Sequence, residues 1–432
     1  MTKNKRIRLF SFLIIPVFFS GIFAGLSPCK EPRPAAMTLE FWSVFDDSDL
    51  YRPLITKFKT LYPYISVNYS KKNVDTYEKE LIDALASGRG PDIFSIHNTW
   101  LPKHQDKLAP APETLISAKR FSEVFVDVAA QDFVFENQVY ALPLSVDTLA
   151  LFYNKDLFNS AGLASPPETW DEFNQAVTRL TNKDSKNNLS LAGAALGTAK
   201  NIHRSTDLLM ALMMQSGAQM TDEKKTEATF AWPVAIGPDQ ANPGRDALTF
   251  YTSFASPGLS VYTWNQNQHY SIDAFLAGQV AMIFNYAYQA PALKARAPHL
   301  NFGAAPLPQI TKNSDQKLTF ANYWGQAVSK GSTNQTAAWT FLTWLSGQEG
   351  SLDYLKATQR PAARRDLIEQ QKDDALLGMF AQQSLFAKSW WEADNIAIEK
   401  IFAEMIESVV EGRATPENAL KTANSQVTLL MR

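Results

Sequence analysis

The sequence predicts an α/β fold with a largely parallel sheet, divided between two lobes, and three observations carry that expectation. Extended apolar stretches alternate with amphipathic ones in the order β-α-β, as crossover helices on a parallel sheet require. The chain has 432 residues, more than a single core usually holds. Its composition, 45% apolar and 12% aromatic, is ample for two cores. A formal net charge of −2, with 19% charged residues and no basic stripe, argues against nucleic acid as the partner.

The first residues read as an export signal. Lys3, Lys5, Arg6 and Arg8 precede the apolar run LFSFLIIPVFFSGIFAGL. An uncleaved transmembrane anchor is the alternative, because residues 7–27 are about long enough to span a bilayer. GLSPC favours lipidation instead: it is similar to a lipobox, with Leu26 three residues before Cys29, the only cysteine in the chain. Pro28 departs from the small residue expected there. Residues 1–28 are therefore assigned to a lipoprotein signal peptide and 29–36 to a flexible tether, with everything later outside the cytoplasm.

From Met37, MTLEFWSVF alternates as a half-buried strand, and LYRPLITKFKTLYP follows as a helix with Leu50, Leu54, Phe58 and Leu61 inward. YISVNYS is the next strand. The helix in DTYEKELIDALASGRG is expected to start at Asp75, with Glu78 completing a capping box, before the short strand DIFSI. YALPLSV and TLALFYN are extended, Gly162 ends a helix, and Thr169 with Glu172 caps the next. SIDAFLAGQVAMIFNY joins helix to strand. NQTAAWTFLTWLSGQEG is amphipathic, with Ala338, Phe341, Leu342 and Leu345 inward, and Thr415 caps a last helix with Pro416 at its first position. KDSKNN (183–188) and TDEKKTEA (221–228) read as surface loops.

Motifs for chemistry are missing. The five histidines are scattered, with no i, i+4 pair and no cysteine partner, so no metal site is expected. There is no G-x-S-x-G, GxxxxGK or GxGxxG, and no cofactor is expected. A carboxylate pair for glycoside cleavage stays open, because such pairs lie far apart in sequence.

The ordered set FWSVFDD, YPYISV, ASGRGPDIFSI, LPLSVDTLALFYNKDLFNSAGL…PPETWDEF, FLAGQVAMIFN, APLP, AAWTFLTWLSGQEG, RPAARRD and EGRATPENAL resembles the extracellular solute-binding proteins of ABC importers. The likeness is to the sugar-binding group that includes maltose-binding protein, and it covers nearly all the chain from Met37. It implies a two-lobed periplasmic-binding-protein clamshell with three interlobe crossings, near Asp147–Leu149, Trp324–Gln326 and Pro361–Arg365. One lobe would hold 37–147 and 326–362, the other 148–325 and 363–432. Ligand would bind between the lobes and draw them together.

The resemblance also implies a site. A saccharide needs aromatic platforms and Asp, Asn or Arg hydrogen-bonders. Trp42 and Asp46 follow the first strand, and Asn98, Thr99 and Trp100 follow DIFSI, where strands reach the cleft edge. Trp42 is either platform or core, and Asp46 either ligand contact or helix cap. Asp147 takes the acidic position where sugar-binding relatives place a carboxylate. Asn285, Tyr288 and Trp324 fall at matching polar and aromatic positions, and Trp264 and Arg360 complete the candidates. The function implied is an ABC-importer receptor for a sugar or oligosaccharide, a monomer without catalysis, partnered by membrane permease subunits. An exported carbohydrate-active enzyme, or a binding protein for a glycerol phosphodiester or polyamine, is the alternative.

Overall fold

A computed structural model describes residues 35–236, 239–312 and 317–432. The expected signal segment, Cys29 and most of the tether lie outside the described residues. Among the described residues, no helix is long and apolar enough to cross a membrane, and no three metal-ligating side chains converge.

The first lobe is built on a sheet in the order 65–71, 37–43, 93–97, 324–329, 108–109. Its first three strands are parallel, with Met37 opposite Ile65 and Phe41 opposite Ile93. Trp324–Ser329 then runs antiparallel, placing Trp324 beside His97, and Ala141–Pro143 pairs with it antiparallel as well. In the second lobe the order is 182–183, 189–194, 280–285, 150–154, 302–306. There only Leu189–Ala194 and Val280–Asn285 are parallel neighbours, and Ala150–Asn154 is antiparallel to both of its partners. The first sheet is therefore largely parallel, with Trp324–Ser329 alone running against its other five strands, and the second is mixed. The physical reason is that strands reaching a lobe from the other lobe enter the sheet from the opposite end.

Three short strands, Asp147–Thr148, Thr319–Asn322 and Ala387–Lys388, form a small sheet of their own where the chain passes between cores. Val146 belongs to the first core and Leu149 to the second. Phe320 packs in the second core and Ala321 in the first. Two of the expected boundaries move accordingly. Trp324 and Gly325 are already part of the first sheet, so that passage lies earlier, at 320–321. Leu367 and Ile368 pack in the first core, past the boundary expected at 362. The chain then packs Phe380 in a second-lobe core, touches the hinge strand at Ala387 and joins the other second-lobe core at Trp390.

Local chemistry explains the helix ends, with some changes from expectation. Thr169 accepts from the Glu172 amide at 3.2 Å, and Glu172 reaches back to the Glu168 amide at 2.8 Å. Gly162, at φ +64°, supplies the left-handed turn that ends Lys155–Ser160. The second helix starts at Val74, not Asp75. Asn73 caps it by accepting from the Asp75 amide, while Glu78 turns away to Lys103 and His104. In Ser48–Leu61 the buried stripe is Tyr51, Leu54 and Phe58, and Leu61 is exposed. Tyr51 wins that place by stacking on Tyr69, with ring centroids 4.3 Å apart.

Candidate functional site

A cavity of about 820 Å³ opens between the lobes, within the usual range for a small-molecule site. Its first wall comes from the ends of the first-lobe strands. Phe45 and Asp46 follow Met37–Ser43, Thr99 and Trp100 follow Ile93–His97, and Trp324 begins the strand opposite His97. Phe45 meets the Trp324 ring edge-on at 5.5 Å, and Trp324 meets Trp100 at 5.1 Å and His97 at 5.3 Å. Phe45 is 45% exposed, so its ring is open to a ligand in the cleft.

Asp46 is buried and committed to its neighbours. Arg360 approaches its Oδ1 at 2.7 Å, Tyr354 donates to its Oδ2 at 2.9 Å, and Tyr69 donates to its backbone oxygen at 2.5 Å. Arg360 and Asp46 both line the cleft, as a fixed pair. Burial holds the His97 imidazole down to about 4, so it is neutral at pH 7. Its Nδ1 pairs with the Thr99 hydroxyl at 2.8 Å.

At the hinge, Asp147 lines the cleft but its carboxylate is occupied by backbone. Oδ1 accepts from the amides of Thr148 (2.8 Å) and Ala287 (2.9 Å), and Oδ2 accepts from Tyr288 (3.0 Å). Burial pushes Asp147 up to about 6, and those three amides oppose the rise. This residue ties the hinge to the turn before Gln289–Arg296, which positions Tyr288.

The second wall comes from Ser205–Gln215, the Tyr288 turn and the start of Asn395–Val410. Arg204 precedes the first of these helices at φ +63°, an uncommon conformation for a side-chain-bearing residue. Its guanidinium donates to the Tyr288 hydroxyl at 2.8 Å and lies 3.7 Å from Asp207. Among the described residues, three buried polar atoms of cleft residues have no partner: Trp100 Nε1, Arg204 Nε and Asn395 Oδ1. Buried polar atoms are normally satisfied, so these are candidate ligand contacts.

Four expected site residues lie elsewhere. Trp264 is fully buried in a second-lobe core, where its Nε1 donates to Asn201 at 3.2 Å. Asn285 is fully buried and spends its amide on His203 and its carbonyl on the Tyr286 amide. Trp42 packs against the first core with Lys72 over its ring at 3.6 Å, outside the cleft lining. Asn98 lines a smaller neighbouring cavity of about 330 Å³, donating to Asp132 at 2.9 Å. Trp100 lines the cleft but is only 5% exposed and stacks on Tyr77 at 6.0 Å, so it is chiefly core. Gly325 makes room for Phe133 rather than for a ligand: a Cβ there would lie 2.6 Å from that ring. The sequence reading missed Phe45, His97, Arg204, Asp207, Glu392 and Asn395. Of these, Phe45 lies within FWSVFDD and His97 directly after DIFSI, and the polar helix starts RSTD and EADN are the only signal for the rest.

The family model for bacterial extracellular solute-binding proteins matches residues 44–351. This chain belongs to that family. A protein of Brucella abortus (strain 2308), named as a binding protein with no ligand given, is 21% identical to this solute-binding protein. The alignment covers 97% of this chain and all of that one. A maltotriose-binding protein of Pyrococcus abyssi is 22% identical over 70% of this chain and 60% of its own. The sugar-binding protein MalE from Xanthomonas citri superposes with a TM-score of 0.76 at 21% identity, covering 91% of this chain and 97% of that one. At that identity the structural likeness establishes the fold, a two-lobed clamshell.

Proposed function

We propose that this solute-binding protein holds a saccharide in the interlobe cleft and hands it to the membrane permease subunits of an ABC importer, leaving the ligand chemically unchanged. The observation that carries the reading is Trp324 with Phe45, an aromatic surface in the cleft beside Trp100 Nε1, Arg204 Nε and Asn395 Oδ1. A sugar ring offers an apolar face to the first and hydroxyls to the second. The names of the Pyrococcus and Xanthomonas relatives support the same ligand class. On this reading Trp324, Phe45, Thr99, Tyr288, Arg204 and Asn395 touch ligand, while Asp46, Arg360 and Asp147 position them. The first lobe comprises 37–146 and 321–371, the mature chain is a monomer, and Cys29 carries the lipid that keeps it at the membrane.

The test is thermal unfolding of the protein against a panel of mono- to tetrasaccharides. A ligand at about 100 times its Kd adds about 2.7 kcal/mol of stability, a readily resolved rise in Tm. If no saccharide raises Tm, the reading fails.

A further inference from the structure

The charge on the cleft is lopsided. Seven carboxylates and three cationic side chains line it. Two of the cations are already engaged: Arg360 lies on Asp46, and Arg204 is shared between Tyr288 and Asp207. The third, Lys79, pairs with Asp83 at the exposed rim. Most of the acids also have partners. Asp147 is held by backbone amides, and Glu78 by Lys103 and His104.

Among the described residues, Asp75 and Glu399 have no partner but are exposed, and Glu392 is the buried exception. It is 4% exposed, lines the cleft, and among the described residues takes no hydrogen bond and forms no ion pair. Burial raises its carboxyl well above the ordinary range, and Asp207, Asp132 and Glu399 add to the rise. Those three acids oppose its ionisation, and among the described residues no cation pairs with it. Such a carboxyl keeps its proton until a positive charge arrives beside it, and a hydroxyl brings no such charge.

Independently of the acids, the same cavity presents the buried, unpartnered Nε1 of the 5%-exposed Trp100, beside the Trp324 and Phe45 rings. A carboxylate and aromatic rings lining one cavity can together recognise an ammonium group, by charge and by ring quadrupole, while the Trp100 N–H, a donor, serves a hydroxyl of the same ligand.

We infer that the saccharide bound here carries a basic amine, and that Glu392, with Glu399 at the rim, receives it in the cavity that Trp324 and Phe45 also line. The inference rests on the saccharide reading above and narrows it. A neutral sugar would satisfy the unpartnered atoms and leave Glu392 without a counter-charge.

The experiment titrates the full chain by calorimetry with matched probes: glucosamine and its β-1,4 di- and trisaccharides, their N-acetylated forms, and glucose with cellobiose and cellotriose. Spermidine is included as an amine without a sugar. The expected result is that an amine-bearing sugar binds about tenfold or more tightly than its neutral counterparts. Glu392→Gln, which keeps shape and loses charge, should cut that preference to about threefold or less while still melting cooperatively. Glu399→Gln should cut it in part, and serves if the first variant does not fold. Equal or tighter binding of neutral or N-acetylated sugars overturns the inference and leaves the saccharide reading standing. Binding of spermidine with no sugar bound overturns both. A preference unchanged in the two variants overturns the assignment to these carboxylates, and absence of binding by every amine-bearing sugar overturns the inference.

Discussion

On the first-lobe wall of the cleft, Asp46 is held by Arg360, Tyr354 and its own backbone contacts, and Trp100 is stacked on Tyr77. On the second-lobe wall, Glu392 has no described partner, and Arg204 Nε and Asn395 Oδ1 are left open. The first wall is therefore rigid before any ligand arrives, with its polar groups largely spent on one another. The second wall pairs Arg204 with Tyr288 and Asp207 but keeps more of its polar atoms free. A clamshell built this way would dock the ligand's apolar face on the preformed wall. Closure would then bring up the wall whose unsatisfied groups gain most from contact, which favours the closed state.

The sharpest way to break the comparison is to disturb the rigid wall. Trp100→Ala should cost about 3–5 kcal/mol of stability without ligand, because it removes a buried core aromatic. Urea unfolding measures this directly. A change below about 1 kcal/mol would place Trp100 among loosely held cleft residues instead.

Arg360→Ala comes next. It strands Asp46 with Tyr354 as its remaining side-chain donor and should cost about 2 kcal/mol. That is less than for a fully buried pair, because Arg360 keeps 28% of its side chain exposed. The same urea curves would show it, and an unchanged midpoint would mean the pair adds no rigidity.

The smallest effect is in pH. Burial raises Asp132 to about 6 despite donors from Ser389, Tyr323 and Asn98. A carboxylate raised in the folded state favours folding below its unfolded value near 4, and that contribution is lost as pH climbs through about 6. Relative to Asp132→Asn, the parent should lose about 1–3 °C in Tm between pH 4 and pH 6.5. A parallel pair of Tm profiles would show that Asp132 keeps an ordinary pKa.

The same two walls divide what could be read in the sequence. Asp46, Thr99 and Trp100 are legible because they follow strands whose ends point at the cleft, and Trp324 because the resemblance puts a crossing there; all four line the cleft. The second wall was mostly missed. Arg204, Asp207 and Glu392 lie at polar helix starts nearly 190 residues apart at the extremes, and no periodicity links them. Trp264 and Asn285 show the opposite failure. Trp264 has the polar neighbours TWNQNQ and Asn285 a position where the resemblance implies a contact, yet Asn201 and His203 satisfy their polar atoms inside the second lobe. The strands that run against their sheets were illegible for a related reason: local pattern gives a strand but not the direction from which a distant segment enters.

The central claim is that the interlobe cleft, with Trp324 at its aromatic centre, is where ligand binds. The most direct test is titration calorimetry of Trp324→Ala beside the parent, using whichever saccharide stabilises the parent most, together with melting curves of both proteins without ligand. Trp324 lies at the start of its strand and is partly exposed, so the account predicts affinity weakened by about 2 kcal/mol, roughly 30-fold, with a much smaller change in unliganded melting. Unchanged affinity in a variant that folds normally would contradict it and put the binding site elsewhere on the molecule.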